Sequence, residues 1–492
     1  MQIARISAFI ACATAALPAL AQAQGAGAAC DPADQLVCTC KQAGYTFQDP
    51  QWAACFIGDV NFPTVTQVDP LSSRAFVALN WPVSKATDGK VIVSTPDFTA
   101  PRQGDWTTVW DTWKSTASIF RPGKPPLPWD STEHPLPAAC SEIDAKAAMA
   151  AVPFADKIPN DIEPRLLSTY VNPDGDALLD AAGQPVRYES LFNRQAYDYT
   201  VAHGLWDAVQ LESYLKAQGK LDLPSGTWGS NPNDPPVRGA IIAKAAWKIL
   251  DAKDDPERFH KSWAYVTPVI DDGRSSHDCA LVPVGLVGMH LVYKTATMPD
   301  WAWGTFEHVD AAPLWSQIGA TGQGHFQDGK PVPDWIFYDV DQAVSRGPNW
   351  PPKTALEKIP SLVVQNYPPG YYFGPVSPGG AASSGNDPCP PSNQEFSCIN
   401  IRMHMALEGS VFENYHLKGT QWKQYGPSGV GVPVPEILGN TVIETFTQNE
   451  SNCLQCHALA RPDWTGAKRG MLDFIFAFDQ YVLQRSAAVQ GN

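Results

Sequence analysis

The residues with the clearest chemical meaning are Cys453-Leu454-Gln455-Cys456-His457. Thiols three positions apart lie about one helical turn apart, so both can add across the two vinyl groups of one haem. The imidazole that follows then falls beneath the iron as its proximal ligand. At the cysteine and histidine frequencies of this chain, chance would place the pattern somewhere in it roughly once in two hundred cases. A redox dithiol and half of a zinc site are the competing uses of such a pair. No second cysteine pair with metal-ligand spacing accompanies it, and nothing around Cys453 reads as thioredoxin-like. One motif implies one covalently bound haem c.

The sixth iron position takes a thioether or an imidazole, or stays open. Met403, His404, Met405, His416 and Met471 are the candidates, with Met471 the nearest after the motif. An open position would mean ligand binding or catalysis. His290, inside an apolar stretch, reads as a hydrogen-bonded core histidine. Glu307, His308 and Asp310 invite a metal, but adjacent strand residues point to opposite faces, so Glu307 and His308 do not easily share one ion. Satisfied strand residues are the better reading. The glycines in 374–385 and 426–431 have turn compositions, and no Ser/His/Asp order, phosphate loop or dinucleotide fingerprint stands out.

The elements that position the motif follow from periodicity. Thr441, Val442, Ile443, Glu444, Thr445 and Phe446 alternate and are β-branched, which predicts a strand before the motif. Phe474, Phe476 and Phe478 recur every second residue behind Asp473 and predict another after it. Residues 241–249 alternate as a strand, and 284–293 with 301–309 predict a hairpin across a Pro-Asp turn. Residues 69–79 suit a short helix capped by Ser72 or Ser73, and 197–218 a helix closed by Gly219. Residues 367–391, dense in Pro, Gly and Ser, suggest a linker or loop. The expected organisation is a β-rich region over 24–365, that loop over 366–392, and a haem-bearing region over 393–492, or one integrated fold. The class is mainly β with some α, an α+β fold.

Composition bounds the rest. With 492 residues there is room for a sizeable core, and 45 prolines with 17 Trp, 20 Phe and 15 Tyr favour aromatic packing between loops over long bundles. Residues 1–23 have the order of a secretory signal: Arg5, an apolar run over 6–20, then Ala21-Gln22-Ala23. No later stretch is long and apolar enough to span a membrane; the best, 279–293, contains Pro283 and His290. A periplasmic or secreted location follows. The net charge is −15, and removing a segment whose only charge is Arg5 leaves −16. This charge disfavours nucleic acid as a partner and favours a redox partner with a basic surface.

Export makes disulfides the default for cysteines without another task. Of the 11 cysteines, Cys12 leaves with the signal and Cys453 and Cys456 serve haem, which leaves eight. Cys389 and Cys398 flank a short loop and are expected to pair. Cys38 and Cys40 should each reach a different partner, such as Cys30 or Cys55, while Cys140 and Cys279 lie far apart.

The C-terminal motif followed by an Asp-aromatic-x-Phe stretch resembles the β-sheet c-type cytochromes of the c-prime-beta kind and their hydroxylamine-oxidising relatives, over about forty residues. A longer resemblance is to a set of secreted bacterial cytochromes with a single haem. It rests on Asn80-Trp81-Pro82, Trp110-Asp111-Thr112-Trp113-Lys114, Lys244-Ala245-Ala246-Trp247, Gly285-Leu286-Val287-Gly288, Thr305-Phe306-Glu307-His308-Val309-Asp310, Glu444-Thr445-Phe446 and the Cys453–His457 motif. That resemblance implies covalent haem and export and brings no established reaction. The expected role is electron transfer. Its competitor is a haem enzyme or small-gas binder with an open iron site, which the size of the chain around one haem favours. A third reading is a haem-containing binding module, with exposed Trp able to stack on sugars.

Overall fold

The computed structural model describes residues 63–479, apart from internal segments that include 227–237, 340–347 and 371–395. Among the described residues nine strands form one sheet: β1 (Lys114–Ser115), β2 (Arg165–Leu167), β3 (Arg187–Phe192), β4 (Ile241–Ile249), β5 (Lys261–Val266), β6 (Ala280–Tyr293), β7 (Ala302–His308), β8 (Tyr415–Tyr425) and β9 (Gly431–Val434). The main path runs β9-β8-β7-β6-β4-β3-β1, antiparallel throughout. β5 pairs with β6, and β2 runs parallel to β5. Helices α1 (Val65–Leu79), α2 (Arg194–Ala202), α3 (Ala208–Gln218), α4 (Phe396–Ala406) and α5 (Cys453–His457) accompany it. The mixed α+β class agrees with the sequence expectation, as do the strand at 241–249 and the hairpin of β6 with β7.

Period-two alternation divides the sheet between two tasks. On one face Met289 and Leu291 of β6, Ala243 and Ala245 of β4 and Phe306 of β7 join a core that includes Phe76 of α1 and Met403 of α4. Phe76 stacks on Phe306 with ring centroids 4.3 Å apart. α1 approaches β7 closely because Gly304 has no side chain: a Cβ there would lie 2.9 Å from Ser72 Oγ. On the other face His290 stands opposite Lys244 and Thr305, while Val292 stands opposite Ile242 and Trp303. Ile242, Val292 and Trp303 pack with Cys453, Leu454 and Phe478, so the C-terminal segment covers this second face.

Several local elements differ from expectation, each for a visible reason. Residues 441–446 form turns, because Asn440 Oδ1 accepts from the N–H groups of both Val442 and Ile443 and the Glu444 N–H returns to the Asn440 carbonyl. Local side-chain bonding here overrides β-branched propensity. Residues 474–478 are not a strand either: Asp473 and Phe474 have φ of 50° and 65°, which ends any extended run. The single helix expected over 197–218 is two, interrupted at Gly204 (φ 65°) and restarted by Asp207, whose Oδ1 accepts from Val209 and Gln210 N–H. Gly219 closes α3 in the left-handed conformation, as expected. α1 starts earlier, after Thr64, and Ser72 is buried inside it as a hydrogen-bond partner of the Tyr293 hydroxyl at 2.8 Å instead of a cap.

A buried ionic cluster lies between β2, β3 and the loops before β1 and β5. Arg165 pairs with Asp111 and Glu189, its guanidinium 4.6 Å from the Trp247 ring centroid. His260 Nδ1 lies 2.8 Å from Asp105 and Nε2 3.2 Å from Asp111. Burial lowers the His260 pKa, but the two carboxylates outweigh it and push it up to about 9. Cys140 is bonded to Cys279 across 139 positions of sequence. Cys398 is disulfide-bonded, and Cys389 lies outside the described residues, as do Cys30, Cys38, Cys40, Cys55, the 1–23 segment and most of 366–392. No helix among the described residues is long and apolar enough to cross a membrane.

Candidate functional site

Cys453, Cys456 and His457 share the one-turn helix α5, capped by Asn452, whose side chain accepts from the Gln455 N–H at 2.9 Å. Gln421 of β8 docks this helix onto the sheet by accepting from the Leu454 N–H at 3.0 Å. Cys453 is buried and Cys456 exposed, and neither is in a disulfide. Burial first, then the nearby Glu444 carboxylate, raises both thiol pKa values, so both sulfurs carry protons near neutral pH.

The imidazole of His457 is oriented from behind. Its Nδ1 lies 2.6 Å from the Phe474 carbonyl, which can only accept, so Nδ1 is the protonated nitrogen and Nε2 is left with a lone pair. Burial lowers the pKa to about 4, which keeps the ring neutral at physiological pH. A neutral imidazole with one N–H held by a carbonyl is the arrangement of a metal-binding histidine. Trp303 and Phe476 flank it, with ring centroids 5.8 and 5.2 Å away. The carbonyl is presented by the same turn whose backbone breaks the expected strand. Asp473 anchors that turn by accepting from the Leu223 N–H at 2.7 Å and pairing with buried Lys294 at 2.8 Å.

Two cavities, of about 350 and about 430 Å³, share His290, Cys456 and His457 in their walls. The larger lies against the sheet and has apolar walls from Ile242, Val292, Trp303 and Phe476. The smaller runs along the 444–452 turns and includes Glu444 and Arg469. Of the sixth-position candidates none lines either cavity. Met403 is buried in the core on the opposite sheet face, Met405 is exposed on the same helix, and His404 Nε2 lies 2.8 Å from the Tyr415 carbonyl. His416 lies 3.3 Å from Glu307. Met471 packs beside the motif's own core, and its sulfur accepts from the Lys468 N–H at 2.9 Å.

His290 is the histidine that the fold does bring to the site. The sequence shows it as a strand residue with an apolar setting; its partner Glu444 is contributed by a turn 154 positions later, Nε2 to Oε2 being 3.3 Å. Burial raises the Glu444 pKa, but His290, Lys244 and the Asn440 N–H outweigh it and hold the carboxyl below its ordinary value. Glu307, His308 and Asp310 have other partners: Glu307 meets Lys418 at 3.4 Å and the Thr441 N–H at 2.8 Å, and His308 Nε2 meets the Arg258 carbonyl at 3.0 Å. No group of three or more His, Cys, Asp or Glu side chains placed to hold one metal ion occurs among the described residues. Family models, curated proteins and solved structures offer no match to this chain.

Proposed function

We propose that this chain is an exported cytochrome that carries one haem c and takes part in electron transfer outside the cytoplasm. The observation that carries the reading is the constellation on α5: two unbridged cysteines one turn apart and a neutral, backbone-oriented His457, all opening on cavities with aromatic and aliphatic walls. Cys453 and Cys456 would hold the haem by thioether bonds and His457 Nε2 would ligate its iron. Bound haem supplies a one-electron iron couple. The protein's own residues orient the imidazole through Phe474, exclude water with Trp303 and Phe476, and set the local charge with Lys244, Glu444 and Arg469. Acidity beyond the site, −16 after removal of 1–23, suits a partner with a basic surface.

The test is chemical. Haem should stay with the polypeptide through acid-acetone extraction and give a c-type pyridine haemochrome, and the double substitution Cys453→Ala, Cys456→Ala should abolish both. Extractable haem in the mature wild type would sink the assignment.

A second reading, an enzyme or small-gas binder with an open sixth position, is favoured by the lining of the cavities. None of the thioether candidates reaches them, whereas His290 and Glu444 do. A ferrous spectrum with and without CO separates the two: a six-coordinate carrier resists CO, an open iron takes it up.

A further inference from the structure

The His290 imidazole is an unusual component of the wall shared by the two cavities. It is 4% exposed, and its Nε2 has no hydrogen-bond partner. Glu444 Oε2 lies 3.3 Å away, a contact that lowers the carboxyl pKa but whose geometry falls short of a full hydrogen bond, and that oxygen already accepts from the Asn440 N–H at 3.0 Å, so the nitrogen is left unsaturated. A bare lone pair held against a carboxylate would be repelled, so Nε2 is the protonated nitrogen. A buried N–H without an acceptor costs free energy, which a ligand arriving in the cavity would recover. The cross-strand neighbour Lys244 adds positive charge to the same larger cavity, and Trp303, whose Nε1 also has no partner, lines it as well.

We propose that the His290 Nε2–H is a ligand-binding donor for a small anionic ligand of the haem iron, with Glu444 as the positioning residue that holds the ring and Lys244 offsetting the charge. The inference rests on the haem reading above and commits the sixth position to exchangeable ligands. It differs from a core histidine in one respect: the donor is spent on something that comes and goes.

The experiment uses the mature holoprotein, with its c-type pyridine haemochrome recorded first, so that failure of haem attachment is recognised separately. Azide is the anionic probe for the ferric protein and CO the neutral probe for the ferrous one. His290→Phe should weaken azide roughly tenfold or more by loss of a hydrogen bond to a charged group, while His290→Gln, which keeps an N–H, stays closer to wild type. CO affinity should move by less than about threefold in both. The unmutated protein supplies an independent measurement if a variant fails to fold: the infrared stretch of bound azide should shift between H2O and D2O. A covalent haem that takes up no azide, an azide affinity equal in wild type and His290→Phe, or an azide stretch indifferent to D2O would overturn the proposal.

Discussion

His457 Nδ1 donates to the Phe474 carbonyl at 2.6 Å, across a turn in which both Asp473 and Phe474 have positive φ. That conformation is uncommon for side chains of this size and persists only where the surroundings enforce it. Here the enforcement comes from Lys294, the residue after β6, and from the Leu223 N–H, both of which hold the Asp473 carboxylate. The orientation of the imidazole therefore depends on a residue remote from the motif in sequence.

Removing that lysine should expose the dependence. Lys294→Met leaves Asp473 buried without its cation and should cost about 3–5 kcal/mol. Denaturant titration measures the loss, and amide exchange at Leu223 should rise with it. An unchanged midpoint would show that the turn is held elsewhere.

The paired His260 should make stability fall on the alkaline side. Its folded pKa, raised to about 9, lies above the ordinary 6.5, so its contribution is fully present below about 6.5 and is lost as pH rises through about 9. His260→Gln should flatten that limb of the stability profile. Equal slopes in wild type and variant would refute the assignment.

Gly304 tests the seat of α1. Gly304→Ala would place a Cβ 2.9 Å from Ser72 Oγ and 3.0 Å from its Cβ, and should destabilise by about 1–3 kcal/mol. Combined with Ser72→Gly, the two changes should cost less than their separate sum, since the clash is shared. Strict additivity would mean that the helix shifts freely.

Electron exchange with a basic partner protein should slow as salt rises, because attraction to a chain of charge −16 after removal of 1–23 is screened over about 8–10 Å at physiological ionic strength. Stopped-flow rates at several salt concentrations measure it. A flat series would assign the acidity to solubility alone.

The regular parts of this fold are written in the chain as alternation. β4 is legible because Lys244 and Lys248 punctuate an apolar run, and the β6–β7 hairpin because two apolar runs flank a Pro-Asp turn. The grouping of Cys453, Cys456 and His457 on one helix is legible because it is local to five residues. What surrounds it is less so. The β-branched run 441–446 has a strand's pattern, yet Asn440 diverts the backbone with its own side chain. The three phenylalanines at 474, 476 and 478 alternate without being extended. Gly204 and Asp207 were available as helix stop and start signals within 197–218 and mark its break. His290 could be recognised as a buried strand residue, but no local pattern announces that Glu444 will stand beside it, because that contact exists only once the C-terminal segment lies on the sheet.

The alternation of β6 between two faces also constrains how the chain can change. Met289 and Leu291 belong to one side of the sheet, His290 and Val292 to the other. Beyond the register shift between Leu286 and Gly288, inserting a single residue would exchange those roles, sending histidine into the apolar layer and methionine into the cavity, whereas point substitutions at alternate positions leave the parity intact. From Met289 to Tyr293 the two parities thus carry separate tasks, the even-numbered residues facing the cavity and the odd-numbered ones the core, whereas before the register shift between Leu286 and Gly288 it is the even-numbered Val284 and Leu286 that join the core.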